Sequence, residues 1–496
     1  MELHQRIRSA PVDFGAVRTE FGLASDYPSE AVSEARDAVD AFAGVRADRR
    51  EIPLVTIDPP GAMDLDQAVY LERTPSGGFL LYYAIADVAA MVVPGGPLAR
   101  ESLARGQTFY FPDGTVPLHP TVLSEGRASL LPDVDRPAAL WTIECDAHAE
   151  PVRWTVARAL VRSRARLDYQ GVQGDADAGR LHPSIAALPE FGRLRIEAGV
   201  ARGAITLRLP AQTVIRDGEQ TGIDHWQLAL EPRTAADDWN EQVSLLTGMC
   251  AARIMLDGHH SNGSGNPGQP GLLRTMPPAP ATAIESMRRT AAAVGVAWPP
   301  EESAGRLLAA LDCNTPAALV LMSEAISLLR GATYTILNGQ EPDTVQHSAI
   351  GAPYAHVTAP LRRLADRYAT EICLAHCAET EVPHWVRDEL ATVVDTMRRT
   401  DALSGKVERA CLDLTEATVL SSRVDTDFDA VVLREANSTR PAEIFIADPP
   451  VLAKCSGTPP EGDTVPVRLA VADPATRTVT FAYPAGPALS VPYSTS

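Results

Sequence analysis

The stretch 56–68, Thr-Ile-Asp-Pro-Pro-Gly-Ala-Met-Asp-Leu-Asp-Gln-Ala, sets the tightest limit on what this chain can build. Asp58, Asp64 and Asp66 fall within nine positions. Carboxylates this close repel one another unless a cation neutralises them. Pro59, Pro60 and Gly61 interrupt regular structure, while β-rich runs flank them at 53–57 and 68–71. The segment therefore reads as a loop between two strands, with hard oxygen ligands suited to Mg²⁺ or Mn²⁺. An EF-hand is a poor fit. Counting from Asp64, the sixth residue is Val69 where glycine is needed, and the twelfth is Pro75 where glutamate is needed. On these residues alone, a solvated acidic turn remains the alternative.

Around the loop the hydrophobic pattern changes twice. Residues 1–45 read as a short helical lead-in. Short β-rich runs follow at 68–71 and 79–86, separated by the turn Pro75-Ser76-Gly77-Gly78, and again at 141–144 and 154–162. The middle is helical: Val243, Leu246, Cys250 and Ile254 recur at helix spacing, and 284–294, 317–329, 361–375 and 385–408 follow suit. In 361–375, Leu361, Leu364, Ala365, Tyr368 and Ile372 form an apolar stripe, with Arg362, Arg363, Asp366 and Arg367 off it. The Gly-, Asn-, Ser- and Pro-rich 258–271 is expected to be a mobile loop. Strand patterns return at 428–433, 442–446, 465–471 and 476–481, which suits a small β-barrel of the OB type.

The formal charge of −19, from 63 acids against 44 bases, argues against a surface that coats nucleic acid broadly. It leaves room for a local basic path through Arg362, Arg363 and the arginines between Arg153 and Arg166. No apolar run is long enough to span a bilayer, and the polar first ten residues do not read as a signal peptide. A cytoplasmic location without membrane association is the expectation. Seven cysteines without a CxxC pair read as reduced thiols. Cys373, His376 and Cys377 are at helical spacing, where packing is favoured over a metal site.

The acidic loop resembles the catalytic loop of the ribonuclease II/R (RNB) family, which carries an IDP…A.D.DDA pattern. The likeness continues in order. Tyr83-Ala84-Ile85-Ala86-Asp87-Val88 resembles the family's IADV strand. Residues 105–112, RGQTFYFP, and 116–129 resemble its RG.S.Y.P and following LS…SL segment. Arg166-Leu167-Asp168-Tyr169, the 240–253 helix and Leu273-Arg274-Thr275-Met276-Pro277-Pro278 also match at family-like spacing. The run 347–363, ending HVTAPLRR, is similar to the block that ends in SPIRR. The resemblance implies an α+β fold: an RNB catalytic domain, a mixed sheet with surrounding helices, over 46–410, and an S1-like OB β-barrel over 415–496. The 1–45 lead-in is too short for the paired cold-shock domains that usually precede this catalytic domain.

By resemblance, the activity is hydrolytic 3′→5′ degradation of single-stranded RNA to nucleoside 5′-monophosphates, with Mg²⁺ or Mn²⁺ as cofactor. Asp58, Asp64, Asp66 and Gln67 are then the metal ligands. Asp66, Asp64 and Arg362 are the catalytic set, with Arg362 in the first turn of a helix whose N-cap is Ala359. Tyr110 stacks on terminal bases. Tyr169 and Glu241 approach the ribose, and Arg363 lines the RNA path. The chain is expected to work as a monomer. It departs from the family in three places: Gln67 replaces the second aspartate of the DD pair, Ala359 stands for the serine of SPIRR, and Leu364 for the tyrosine after the arginines. Gln67 keeps open a second reading, a catalytically degenerate family member that binds RNA or serves as a scaffold.

Overall fold

The structure is a computed structural model that describes residues 9–485 apart from 208–210, 218–224, 232, 261–268, 313–314 and 340–341. Most of the expected mobile loop, and Cys313, lie outside the described residues. Seven strands build the region around the acidic loop: β1 (Ala47–Asp48), β2 (Thr56–Asp58), β3 (Gln67–Arg73), β4 (Phe79–Ala86), β5 (Asp135–Cys145), β6 (Pro151–Arg162) and β7 (Arg166–Asp168). Five of them pair in the order β1–β6–β5–β4–β3, antiparallel except for the β1–β6 edge. β2 and β7 form a separate parallel pair, joined to the sheet through the bridge between Val55 and Val69.

Side chains alternate across a strand with period two, and the sheet separates two cores accordingly. Val69, Leu71, Leu81, Tyr83, Trp141 and Ile143 lie in the larger core. Ala68, Ala84, Ala86 and Ala138 lie in the smaller one, where their short side chains admit Leu65, Leu98, Leu123 and Leu361. The helices that position the site are α1 (Ser29–Asp37), α2 (Pro97–Arg105), α3 (Tyr169–Asp177), α4 (Ala235–His260), α5 (Leu364–Cys377) and α6 (His384–Leu420). Val243, Leu246 and Cys250 of α4 meet Leu364, Tyr368 and Ile372 of α5 against the larger core.

α5 corrects the sequence reading in two ways. It begins at Leu364 with Arg363 as N-cap, so Arg362 precedes the helix and Ala359 does not cap it. It is also buried from Leu364 to Ala375 on every side rather than along one stripe, so Asp366 and Arg367 are interior too. Arg367 lies over the Trp385 ring, 4.6 Å from its centroid. The arginines of β6 are also engaged. Arg158 bonds Asp87 and Glu371, both at 2.5 Å, Arg153 bonds Glu144, and Arg162 bonds Asp135. Most of the expected RNA-lining arginines are thus paired with acids of the scaffold.

The lead-in is not purely helical: Ser9–Pro11 is a strand paired with His225–Glu231, and Gly15–Glu20 is a helix ahead of α1. At the other end, β8 (Asp427–Arg434), β9 (Ala442–Ala447), β10 (Pro450–Ser456), β11 (Thr464–Asp473) and β12 (Thr478–Ala482) close a barrel in the order β8–β9–β10–β12–β11. Phe428, Val432, Ile444, Val467, Leu469 and Phe481 fill it. α6 connects the parts. Its Leu420 enters the barrel core, and its Val407 and Cys411 pack with Phe14, Phe109 and Phe111.

Candidate active site

The acidic loop leaves β2 at Asp58 and enters β3 after Asp66. Gly61 turns the chain at φ +85°, a conformation that disfavours any side chain. Ser129 fixes the far side of the loop: its hydroxyl donates to the Met63 carbonyl at 2.6 Å and accepts from Leu65 N at 3.0 Å.

The three aspartates have different surroundings. Asp58 is pushed up to about 7, first by burial and then by the neighbouring Asp64. Its Oδ2 is buried without a hydrogen-bond partner. Burial also raises Asp64, against the opposing pull of Arg362. Asp66 is held well above the usual carboxylate range by near-complete burial, opposed by Arg362 and by the Leu361 amide. That amide donates to Asp66 Oδ1 at 2.7 Å, and Asp66 Oδ2 lies 3.9 Å from Arg362 Nε. An orphaned buried carboxylate oxygen beside a second carboxylate fits a hard cation. Among the described residues, no three acidic, imidazole or thiol groups are already arranged as a ligand set. The fit is therefore to an ion held by one or two carboxylates, with water and phosphate oxygens completing the shell.

Arg362 sits on a tight turn whose hydrophobic residue, Leu361, is sunk in the smaller core. Its carbonyl accepts from Thr108 N at 3.0 Å, while its side chain stays 42% exposed. The guanidinium is thus anchored by its backbone yet open to a ligand. Arg363 is different. It forms a two-point pair with Asp366 at 2.9 and 3.0 Å, and Asp366 Oδ1 also accepts from Ala359 N. The geometry replaces an RNA-lining Arg363 with a helix-start brace, and Asp366 serves this residue rather than pairing with Arg362.

The segment whose Thr108 N donates to the Arg362 carbonyl also carries Tyr110. In Phe109-Tyr110-Phe111 the two phenylalanines are buried and Tyr110 is 51% exposed, as strand alternation requires. Asp64, Asp66 and Arg362 all act electrostatically on its phenol, which places it at this site.

On the opposite side, β2–β7 pairing sets Asp58 beside Asp168. Asp168 caps α3 by accepting from Gly171 N at 2.8 Å, and Tyr169 is the first residue of that helix. The Tyr169 hydroxyl accepts from Asn240 Nδ2 at 3.4 Å, and Asp58 lies within its electrostatic reach. Glu241 does not join it. Its carboxylate pairs with Arg233. The α4 residues that face the site are Asn240 and Ser244, one turn apart. Sequence reasoning missed both, although their i,i+4 spacing beside Glu241 was a usable signal.

Gln67 is also placed differently from expectation. Its Oε1 accepts from the Tyr83 hydroxyl, which itself accepts from Ser244 Oγ at 3.0 Å, with Ser244 Oγ 3.4 Å from Oε1, and its Nε2 donates to the Thr358 carbonyl at 2.7 Å. Bonded to the protein at both ends, the amide is committed to linking Tyr83 to Thr358. Arg166 remains close to the loop, donating to the Ala62 carbonyl at 3.2 Å and lowering the Asp58 pKa electrostatically.

A carboxylate loop facing an exposed arginine on a mixed sheet, joined by a long helix to a closed five-stranded barrel, defines an α+β domain followed by an OB-type module. Residues 46–378 match the RNB domain and residues 426–483 match the RNase II-type exonuclease C-terminal S1 domain, so the chain belongs to the RNB family. It is 32% identical over 340 residues to Ribonuclease R of Escherichia coli, which covers 66% of this chain but 40% of that protein. The chain thus aligns with about two fifths of that relative's length. The fold is similar to Mycoplasma genitalium RNase R in complex with ribose methylated single-stranded RNA, at TM-score 0.82 and 17% identity, over 95% of this chain and 77% of that one. It is also similar to yeast Ssd1, a pseudonuclease, at TM-score 0.67 and 13% identity, over 89% of this chain and 55% of that one. No helix among the described residues is long and apolar enough to cross a membrane.

Proposed function

We propose that the chain hydrolyses single-stranded RNA from its 3′ end, releasing nucleoside 5′-monophosphates with the help of Mg²⁺ or Mn²⁺. The observation that carries this reading is Asp66. One of its oxygens is locked to the turn that bears Arg362 and the other faces the Arg362 guanidinium. A scaffold has no use for a buried carboxylate held in that relation to an exposed arginine. When bound, the divalent ion supplies charge neutralisation and lowers the pKa of a coordinated water. Asp58 and Asp64 are the residues that would hold it.

The chain's own groups do the rest. Asp66 Oδ2, raised in proton affinity by burial, orients the attacking water and takes its proton as the new O–P bond forms, while the P–O3′ bond breaks and the 3′-oxygen of the preceding nucleotide leaves, gaining its proton from solvent. Arg362 presents a guanidinium fork to the phosphate oxygens, where negative charge grows in the transition state. Tyr110 offers an exposed ring on which a base stacks without sequence preference. The Tyr169 hydroxyl and the Asn240 amide meet a ribose 2′-OH, which both donates and accepts. With most β6 arginines paired to acids and a net charge of −19, RNA is gripped at this site rather than by a broad basic surface.

The test is product analysis. Linear single-stranded RNA incubated with the protein and Mg²⁺ or Mn²⁺ should yield nucleoside 5′-monophosphates, and circular RNA of the same sequence should survive. Intact linear RNA with both metals would favour the degenerate reading instead.

A further inference from the structure

Gln67 joins four separate segments through one amide. β3 supplies it, Tyr83 of β4 donates to its Oε1 and is backed by Ser244 of α4, and its Nε2 donates to the carbonyl of Thr358. The preceding residue, Asp66, accepts from the Leu361 amide. Two consecutive side chains at the start of β3 therefore grip two backbone groups three residues apart. Arg362 follows the second of them directly.

The other end of this turn is held independently. Thr108 N donates to the Arg362 carbonyl, Leu364 N to the Gly106 carbonyl, and Ala359 N to Asp366. On the acidic-loop side, Asp66 and Gln67 provide the tethers that set the turn's distance from the carboxylates. Position 67 must accept and donate at the same moment. An amide does this, whereas a carboxylate cannot donate and would set its lone pairs against the Thr358 carbonyl. We propose that Gln67 is a positioning residue, which fixes the 358–362 turn against the acidic loop and so aims Arg362. This rests on the reading that Arg362 acts on the scissile phosphate.

The test compares wild type, Gln67→Glu (equal in size but without the donor) and Tyr83→Phe, which removes one donor to Oε1 and keeps the ring. Amide hydrogen exchange is followed on the 358–364 segment in EDTA, so that this readout is independent of turnover. Steady-state kcat, KM and the metal concentration for half-maximal rate are measured in parallel. Losing one buried hydrogen bond should speed exchange in that segment roughly three- to tenfold, with exchange across the barrel unchanged. Misaiming Arg362 should lower kcat by about 10²-fold in Gln67→Glu, with KM altered less than about threefold. The metal requirement should stay where it was, and Tyr83→Phe should show the same pattern more weakly. Unchanged exchange in 358–364 combined with a shifted metal requirement would overturn the proposal and make Gln67 a ligand. If wild type cuts no RNA but the segment still loosens in both variants, the positioning role stands and the proposed activity fails.

Discussion

Replacing Arg362 by alanine should separate catalysis from stability. The Arg362 side chain is 42% exposed, and its Nε lies 3.9 Å from Asp66 Oδ2. Asp66 itself is buried, but it can take up a proton once the arginine is gone, so losing this long, half-exposed pair should cost no more than about 1 kcal/mol of folding. The backbone contacts that hold the turn, from Leu361 N to Asp66 and from Thr108 N to the Arg362 carbonyl, do not involve the guanidinium. The thermal midpoint should therefore move by no more than about 2 °C. Catalysis should suffer far more. Loss of one preorganised donor to a developing oxyanion costs ~2.7–4 kcal/mol, or about 10²–10³ in kcat. Arg362 is also the strongest influence keeping Asp66 ionised, so the variant's remaining activity should need a higher pH. Arg362→Lys keeps the charge but loses the planar fork, and should recover only part of the rate. The assay is single-turnover decay of labelled RNA alongside calorimetry. A kcat within about threefold of wild type, or a rate loss matched by a fall of many degrees in thermal midpoint, would refute this role.

Asp66→Asn should abolish turnover while RNA affinity, measured by fluorescence anisotropy in EDTA, stays within a few fold; normal cutting by this variant would remove Asp66 from the mechanism. Asp58 carries a pH signature. Its folded pKa of about 7 lies above the ordinary 3.8, so the folded state binds more protons across that window and loses stability as pH rises through it. In EDTA the thermal midpoint of wild type should fall relative to Asp58→Asn between about pH 4 and 7. Mg²⁺ should reverse the fall above pH 7, and parallel curves for the two proteins would contradict the assignment. Tyr169→Ala should narrow the preference for RNA over DNA of the same sequence, with Asn240→Ala acting in the same direction and Glu241→Ala leaving the ratio unchanged. Equal ratios in all three variants would place the ribose elsewhere.

Much of this site is readable from local sequence because its chemistry is local. Pro59-Pro60-Gly61 forces a loop, the runs on either side form strands, and three aspartates on that loop demand compensation wherever the chain goes. The barrel strands are legible for the same reason, through two-residue alternation between turns, although β10 was missed where Pro449-Pro450 masks its start. What could not be read depends on distant partners. The start of α5 moves to Leu364 because Asp366 accepts from both Arg363 and Ala359, a choice helical periodicity does not reveal. Asn240 and Glu241 are adjacent on α4, and only the packing of α4 against β4 and α3 decides which of them faces Tyr169. Gln67 resembled a weakened ligand because its neighbours in sequence are acids. Its partners, Tyr83, Ser244 and Thr358, lie 16, 177 and 291 positions away.

The most direct measurement is a time course on two linear single-stranded RNAs of one sequence, labelled at the 5′ end, one with a free 3′ terminus and one with the 3′ terminus blocked. With Mg²⁺ or Mn²⁺, the free RNA should shorten in single-nucleotide steps to a short limit product. The blocked RNA should persist, and EDTA should stop the shortening of the free one. Persistence of the free RNA under every metal condition, or internal cuts in the blocked one, would contradict 3′-end hydrolysis at the Asp66–Arg362 site.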